Sequence, residues 1–73
     1  MATAVQHRRL LGRNIRAVRT RRGLSQEKLA EKADLHPVFV GRIERGEETI
    51  SFDRLARIAK ALRVPVRDLV KGL

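Results

Sequence analysis

Residues 24–46 read LSQEKLAEKADLHPVFVGRIERG, and the punctuation of this stretch decides the fold. Ser25 is a good N-cap, preceded by Leu24 and followed four positions later by Leu29. The two leucines can close over the first turn as a hydrophobic staple. His36 holds the equivalent place between Leu35 and Val40, with Pro37 at the first helical position, where a missing N–H costs nothing. The spacing predicts one helix over about Gln26–Ala33 and another over about Pro37–Arg45, stopped by Gly46. Asp34-Leu35-His36 forms the turn between them, and Asp tolerates the left-handed conformation such a turn needs. Two helices this short, joined this tightly, have the dimensions of a helix-turn-helix. In that arrangement the first helix braces a phosphate backbone while the second lies in the DNA major groove, which admits one α-helix.

Outward from this pair the apolar spacing stays helical, with no alternating run long enough for a half-buried strand. Leu11, Ile15 and Val18 share one face of a first helix over about Ala4–Arg22, opened by a Thr3/Gln6 capping box and ended by Gly23. Ser51, between Ile50 and Leu55, opens a fourth helix over about Phe52–Leu62. Asp53 suits its first turn, and Phe52, Leu55, Ile58, Ala59 and Leu62 are expected on its inner face. A last helix starts near Pro65 and carries Val66, Leu69, Val70 and Leu73. The expectation is an all-α, compact five-helix bundle, one domain over residues 1–73, with the helix-turn-helix in its second and third helices.

A chain of 73 residues hides only about 60 % of the surface its unfolded form exposes, so its core is small. Without cysteine there is no disulfide framework and no thiolate metal site. His7 and His36 fall on different elements, and no Gly-rich phosphate loop is present. Glu47 and Glu48 are adjacent, so on a loop they diverge and read as solvated charges. These features argue against an enzyme, and no metal or cofactor is expected. Net charge is +9, and thirteen of the seventeen basic residues are arginine. Residues 1–26 hold seven arginines and no acid, whereas residues 27–73 hold ten bases against eight acids. Such charge points to a polyanionic partner. No apolar run approaches the ~18–20 residues of a membrane span, and the N-terminus lacks a signal-peptide core. A soluble cytoplasmic protein is therefore expected. The first helix can also be read as a basic membrane anchor, but its apolar face is narrow, lacks aromatic residues and is needed for the core.

Across about Leu10–Val70 the chain resembles the Xre/Cro/C1-type helix-turn-helix repressors, which have the lambda-repressor-like fold. The resemblance rests on LGRNIR (residues 11–16), Arg19 with GLSQEKLA (23–30), VGRIERG (40–46) and LARIAKAL (55–62). The short length also resembles the small controller proteins of restriction–modification systems. The resemblance implies a transcriptional regulator that binds double-stranded DNA, and a role for Gln26 in hydrogen-bonding a phosphate beside the free amides of its helix. It also implies that Arg19 and Glu44 form a structural ion pair tying the first helix to the recognition helix.

On the recognition helix Val40 and Ile43 are expected inside, leaving Pro37, Val38, Phe39, Arg42 and Arg45 outward. Arg42 is the leading base reader, since arginine can grip guanine O6 and N7 with two hydrogen bonds. Val38 can touch a thymine methyl, and Pro37 completes the base-reading set. Phe39 can meet the sugar–phosphate backbone or pack half-buried. Arg45, Ser25 and His36 are assigned with Gln26 to phosphate. Relatives often carry polar residues where this chain has Pro37 and Val38, so DNA shape can take more of the reading. Gly41 can admit either another helix or DNA. Val66, Leu69, Val70 and Leu73 either close the core or form the seam of a homodimer binding a two-fold symmetric operator, with autoregulation expected. The alternative is a DNA-binding antitoxin that pairs with a toxin protein. Non-specific RNA binding through charge alone is the remaining rival, and contact with RNA polymerase is left open.

Overall fold

The computed structural model describes residues 3–73; Met1 and Ala2, the start of the expected domain, lie outside the described residues. Five helices follow in chain order: α1 (Ala4–Arg21), α2 (Gln26–Ala33), α3 (Pro37–Glu44), α4 (Phe52–Leu62) and α5 (Val66–Leu69). There is no strand among the described residues.

The caps explain where these helices begin. Thr3 and Gln6 exchange bonds, with the Gln6 amide donating to Thr3 Oγ1 at 3.1 Å and the Thr3 amide to Gln6 Oε1 at 2.6 Å. Ser25 Oγ accepts from the Lys28 amide at 3.0 Å, Ser51 Oγ from the Arg54 amide at 3.2 Å, and His36 Nδ1 from the Val38 amide at 3.1 Å. Each occupies a donor that the first helical turn leaves without a partner. The ends are equally definite. Asp34 closes α2 at φ 56° and Arg63 closes α4 at φ 59°, both left-handed. The arginine accepts this unfavourable conformation because it lets the Val64 amide reach the Ala59 carbonyl at 3.1 Å and places Val64 against the core.

Ile15, Leu29, Val40, Ile43, Ile58, Leu62 and Leu69 are fully buried and form the centre of one core. Leu24, Leu35 and Ile50, the residues ahead of the three caps, pack against that cluster. α1 lies on α3 and α5, while α2 lies on α3 and α4. α1 and α3 meet most closely at Gly12, where a Cβ would fall 2.4 Å from the Ile43 carbonyl oxygen and 2.5 Å from that of Glu44. Only glycine allows that approach, which fixes the height of α3 on the scaffold.

Three expectations are corrected. Phe52 is not on the inner face of α4; it is 71 % exposed. It sits in the first turn, beyond the end of the core, where Ile50 folds back onto the apolar cluster instead. The last helix does not continue to Leu73 but ends at Leu69, because Asn14 of α1 donates to the Leu69 and Lys71 carbonyls, each at 2.9 Å. Leu69 itself has no exposed surface and belongs to the core, so it cannot face a partner chain.

Candidate nucleic-acid interface

The short turn after α2 sets α3 against α1 and α2, with Val40, Ile43 and Glu44 facing inward. The opposite side carries Val38, 54 % exposed, together with exposed Arg42 and Arg45. Pro37 and Phe39 are half-buried at its margins. Phe39 packs against the core, and the Arg54 guanidinium lies over its ring at 5.1 Å from the centroid, a cation–π contact. Of the two readings of Phe39, packing is therefore the one the structure displays.

Glu44 organises the inner side. Its carboxylate accepts from Arg19 Nε at 2.6 Å, Arg19 Nη2 at 3.0 Å and Gln26 Nε2 at 3.0 Å. Arg19 also donates from Nη1 to the Leu24 carbonyl at 2.7 Å. The Glu44 side chain is 2 % exposed and that of Arg19 13 %, so the pair is largely withdrawn from water. Its hydrogen bond to Glu44 raises the Arg19 pKa, and the guanidinium stays charged throughout the working range. Three helices thus converge on one carboxylate. No buried side-chain nitrogen or oxygen among the described residues lacks a partner.

The same carboxylate positions Gln26, the first residue of α2. One amide N–H of Gln26 is engaged by Glu44, leaving a second donor at the surface. The backbone N–H groups of Gln26 and Glu27 precede the capped Lys28 amide and have no intrahelical acceptor. They form an anion-accepting edge beside α3. Gly41 serves this arrangement: a Cβ there would lie 3.1 Å from Arg45 Nη1 and 3.4 Å from Gln26 Oε1. Its role is to let those two side chains pass over α3, which sequence reasoning did not resolve. His36 Nδ1 is occupied as a cap acceptor, so Nε2 is the nitrogen directed to other partners.

Glu47 and Glu48 diverge, as expected of adjacent acids, and stay partly solvated, but each stands against an arginine of α3 or its end. Glu47 takes a fork-to-fork contact from Arg45, Nε to Oε2 at 3.0 Å and Nη2 to Oε1 at 3.2 Å. Glu48 Oε2 stands 3.6 Å from Arg42 Nη1. The hydrogen bond from Arg45 holds the Glu47 carboxyl below its ordinary pKa, and the same bond raises that of Arg45. The sequence offered one signal for this: two acids directly after Gly46, which turns the chain back at φ 73°.

At the far end, Val66 and Val70 are half-buried and Leu73 is 50 % exposed. No group of three or more His, Cys, Asp or Glu among the described residues could hold a metal ion. Among the described residues no helix is long and apolar enough to cross a membrane.

This geometry has close counterparts. A helix-turn-helix family profile matches residues 15–69. The control protein C.BamHI of Bacillus amyloliquefaciens is 42 % identical over 64 residues, covering 86 % of this chain and 79 % of that one. The control protein C.SmaI of Serratia marcescens is 39 % identical over 61 residues, covering 84 % and 73 %. Among solved structures, the restriction–modification controller protein C.AhdI of Aeromonas hydrophila superposes with a TM-score of 0.84 at 37 % identity, covering 85 % of this chain and 94 % of that one.

Proposed function

The chain belongs to the helix-turn-helix family of DNA-binding transcriptional regulators, and from that membership we infer that it is a homodimeric, autoregulatory controller acting on an operator of two-fold symmetry. The observation that carries this reading is the uncovered side of α3, which offers the Val38 methyls and the Arg42 and Arg45 guanidiniums beside the free amides of α2. In a major groove Arg42 takes guanine O6 and N7, Val38 meets a thymine methyl, and Pro37 lies against a neighbouring base edge. Gln26, Ser25, His36 and Arg45 hold phosphates on either side, and Phe39 touches the backbone through its ring edge while still packing inward. Apart from Arg19, which is paired with Glu44, the six arginines of residues 1–26 add long-range attraction rather than reading.

One α3 reads too few base pairs to select an operator, which favours pairing of two copies about one DNA turn apart. Val66, Val70 and Leu73, next to the end of α4, are the surface available for that seam; Leu69 supports it from beneath. The likeness to restriction–modification control proteins favours this regulator over an antitoxin paired with a toxin. A regulator of this kind works in the cytoplasm, beside its DNA, as a binder and not as an enzyme.

Fluorescence anisotropy near ~150 mM salt tests the reading, with the duplex upstream of the chain's own gene set against a scrambled duplex. The expected preference is about 10³-fold or more. With about six phosphates engaged per dimer, log K falls against log salt with a slope near −5. Equal, weak binding to both duplexes would overturn autoregulation through that DNA. Leu73→Asp, at the exposed end of the seam, is expected to yield a folded monomer with weakened operator binding.

A further inference from the structure

The two acids after α3 each stand against one of the arginines assigned to DNA. Their positions are fixed by backbone: the Gly46 amide donates to the Ile43 carbonyl at 3.0 Å and the Glu47 amide to the Arg42 carbonyl at 2.9 Å. The chain at Glu47 is therefore held at the end of the recognition helix, where its carboxylate meets Arg45 and that of the next residue, Glu48, stands near Arg42. Both arginines remain more than half exposed, so each pair faces the side from which DNA would arrive.

We propose that Glu47 and Glu48 are specificity-determining residues: a carboxylate clamp that offsets the phosphate attraction of Arg45 and Arg42 while leaving N–H donors of Arg42 available to base edges. The inference rests on the reading of α3 as the groove-facing helix. A phosphate is attracted by net charge, and a guanidinium paired with a carboxylate has little net charge to offer. Guanine O6 and N7 are neutral acceptors that need direction instead. A guanidinium carries five N–H donors, so two can reach guanine while others stay with the carboxylate. The clamp thus lowers affinity for every duplex but lowers it most where only phosphates are on offer. In a chain of net charge +9, such a bias keeps abundant arbitrary DNA from swamping a short operator.

The size of the effect follows from counterion release. Each uncovered charge adds about 0.9 to the salt slope, or roughly fivefold in affinity at ~150 mM relative to 1 M salt. For Glu47→Gln/Glu48→Gln, scrambled-duplex binding is expected to tighten about 10–30-fold per protomer, with a slope steeper by nearly 2. Binding to the tightest duplex recovered by selection from a random library should tighten about threefold to fivefold, because there Arg42 contacts a base and only Arg45 adds a charge against phosphate. The ratio between the two therefore falls severalfold. The control is Glu31→Gln/Asp34→Asn, which removes the same formal charge from exposed positions on α2 and its turn and keeps a residue tolerant of φ > 0 at 34. The clamp predicts that this control leaves the ratio unchanged.

Equal tightening of both duplexes by Glu47→Gln/Glu48→Gln, or a ratio that falls as far in the control, would overturn the clamp. So would scrambled-duplex binding that does not tighten. A native chain that prefers no duplex in the selection would overturn the reading of α3 as well; a native preference that Glu47→Gln/Glu48→Gln leaves intact would overturn the clamp alone. Glu47 is exposed and Glu48 half-buried, glutamine is nearly isosteric with glutamate, and an unchanged thermal midpoint certifies the fold in the same preparation.

Discussion

Glu44→Gln probes the joint on which the recognition helix is mounted. The substitution keeps the size of the side chain but replaces one acceptor oxygen by an amide that points donors at the donors of Arg19. Two short bonds from Arg19 and one from Gln26 are lost or weakened, inside a site where the carboxylate is 2 % exposed. Removing one partner of a buried pair costs about 3–5 kcal/mol, chiefly because the other charge stays stranded. Arg19 keeps the Leu24 carbonyl and some access to water, so the lower end, about 3 kcal/mol, is expected. A domain of 73 residues is stable by about 4–11 kcal/mol in all, so this is a large fraction of the whole. The thermal midpoint should fall by about 12–24 °C. The chain has no tryptophan or tyrosine, so unfolding in urea is followed by the helical circular-dichroism signal. Arg19→Met/Glu44→Leu should recover most of the loss, since an apolar pair of similar volume leaves no charge unpaired. A loss below about 1 kcal/mol for Glu44→Gln, or a double variant as unstable as the sum of its single changes, would refute the joint as described.

Gly12→Ala should destabilise by about 2–3 kcal/mol, because the added methyl meets two fixed carbonyl oxygens of α3 rather than a mobile side chain; a urea midpoint within error of the native one would contradict this. Gly41→Ala should do the opposite, gaining about 0.5–1 kcal/mol from helix propensity. Its Cβ borders only the movable ends of Arg45 and Gln26, whose displacement should weaken duplex binding; lost stability would show a tighter site. Glu47 should titrate below the ordinary glutamate range in a carboxyl NMR titration, and Arg45→Ala should return it there. Its pKa is depressed, so the pairing is complete above the ordinary range and is lost only as pH falls through the lowered value. A native Glu47 titrating in the ordinary range would refute it.

Local chemistry made most of the fold legible. Ser25, His36 and Ser51 each announce a helix with an apolar residue on either side, and Gly23, Asp34 and Gly46 announce the stops. These signals act over a few residues and so survive reading along a line. What escaped depends on contacts between distant segments. Asn14 reads as one more polar residue of a basic helix, yet it captures the carbonyls that end α5. Gly12 reads as a weak point in a helix, and only the approach of α3 reveals why it is there. Phe52 satisfies the apolar period of α4, but periodicity does not say where the core stops beneath the helix. Arg63 carries no mark of a left-handed residue; its conformation is imposed by burial of Val64 one position later.

The candidate interface divides the same way. Its parts were legible by type: an arginine with a fork for guanine, a glutamine at a helix N-terminus and, through the family resemblance, an arginine and a glutamate that tie two helices. Their coupling was not. Glu44 serves Arg19 and Gln26 together, so the joint that mounts α3 also orients the side chain proposed to meet phosphate. Glu47 and Glu48 reach back to Arg45 and Arg42 because the turn at Gly46 reverses the chain, which two adjacent acids do not reveal by themselves.

The central claim is that the exposed side of α3 reads bases, with Arg42 as its principal reader. Selection of binding sites from a randomised duplex library, run in parallel with the native chain and Arg42→Ala, tests it most directly. The account predicts two inverted half-sites about one helical turn apart for the native chain, and loss of a guanine preference at one or two positions of each half-site for Arg42→Ala. Identical preferences from the two proteins would contradict it.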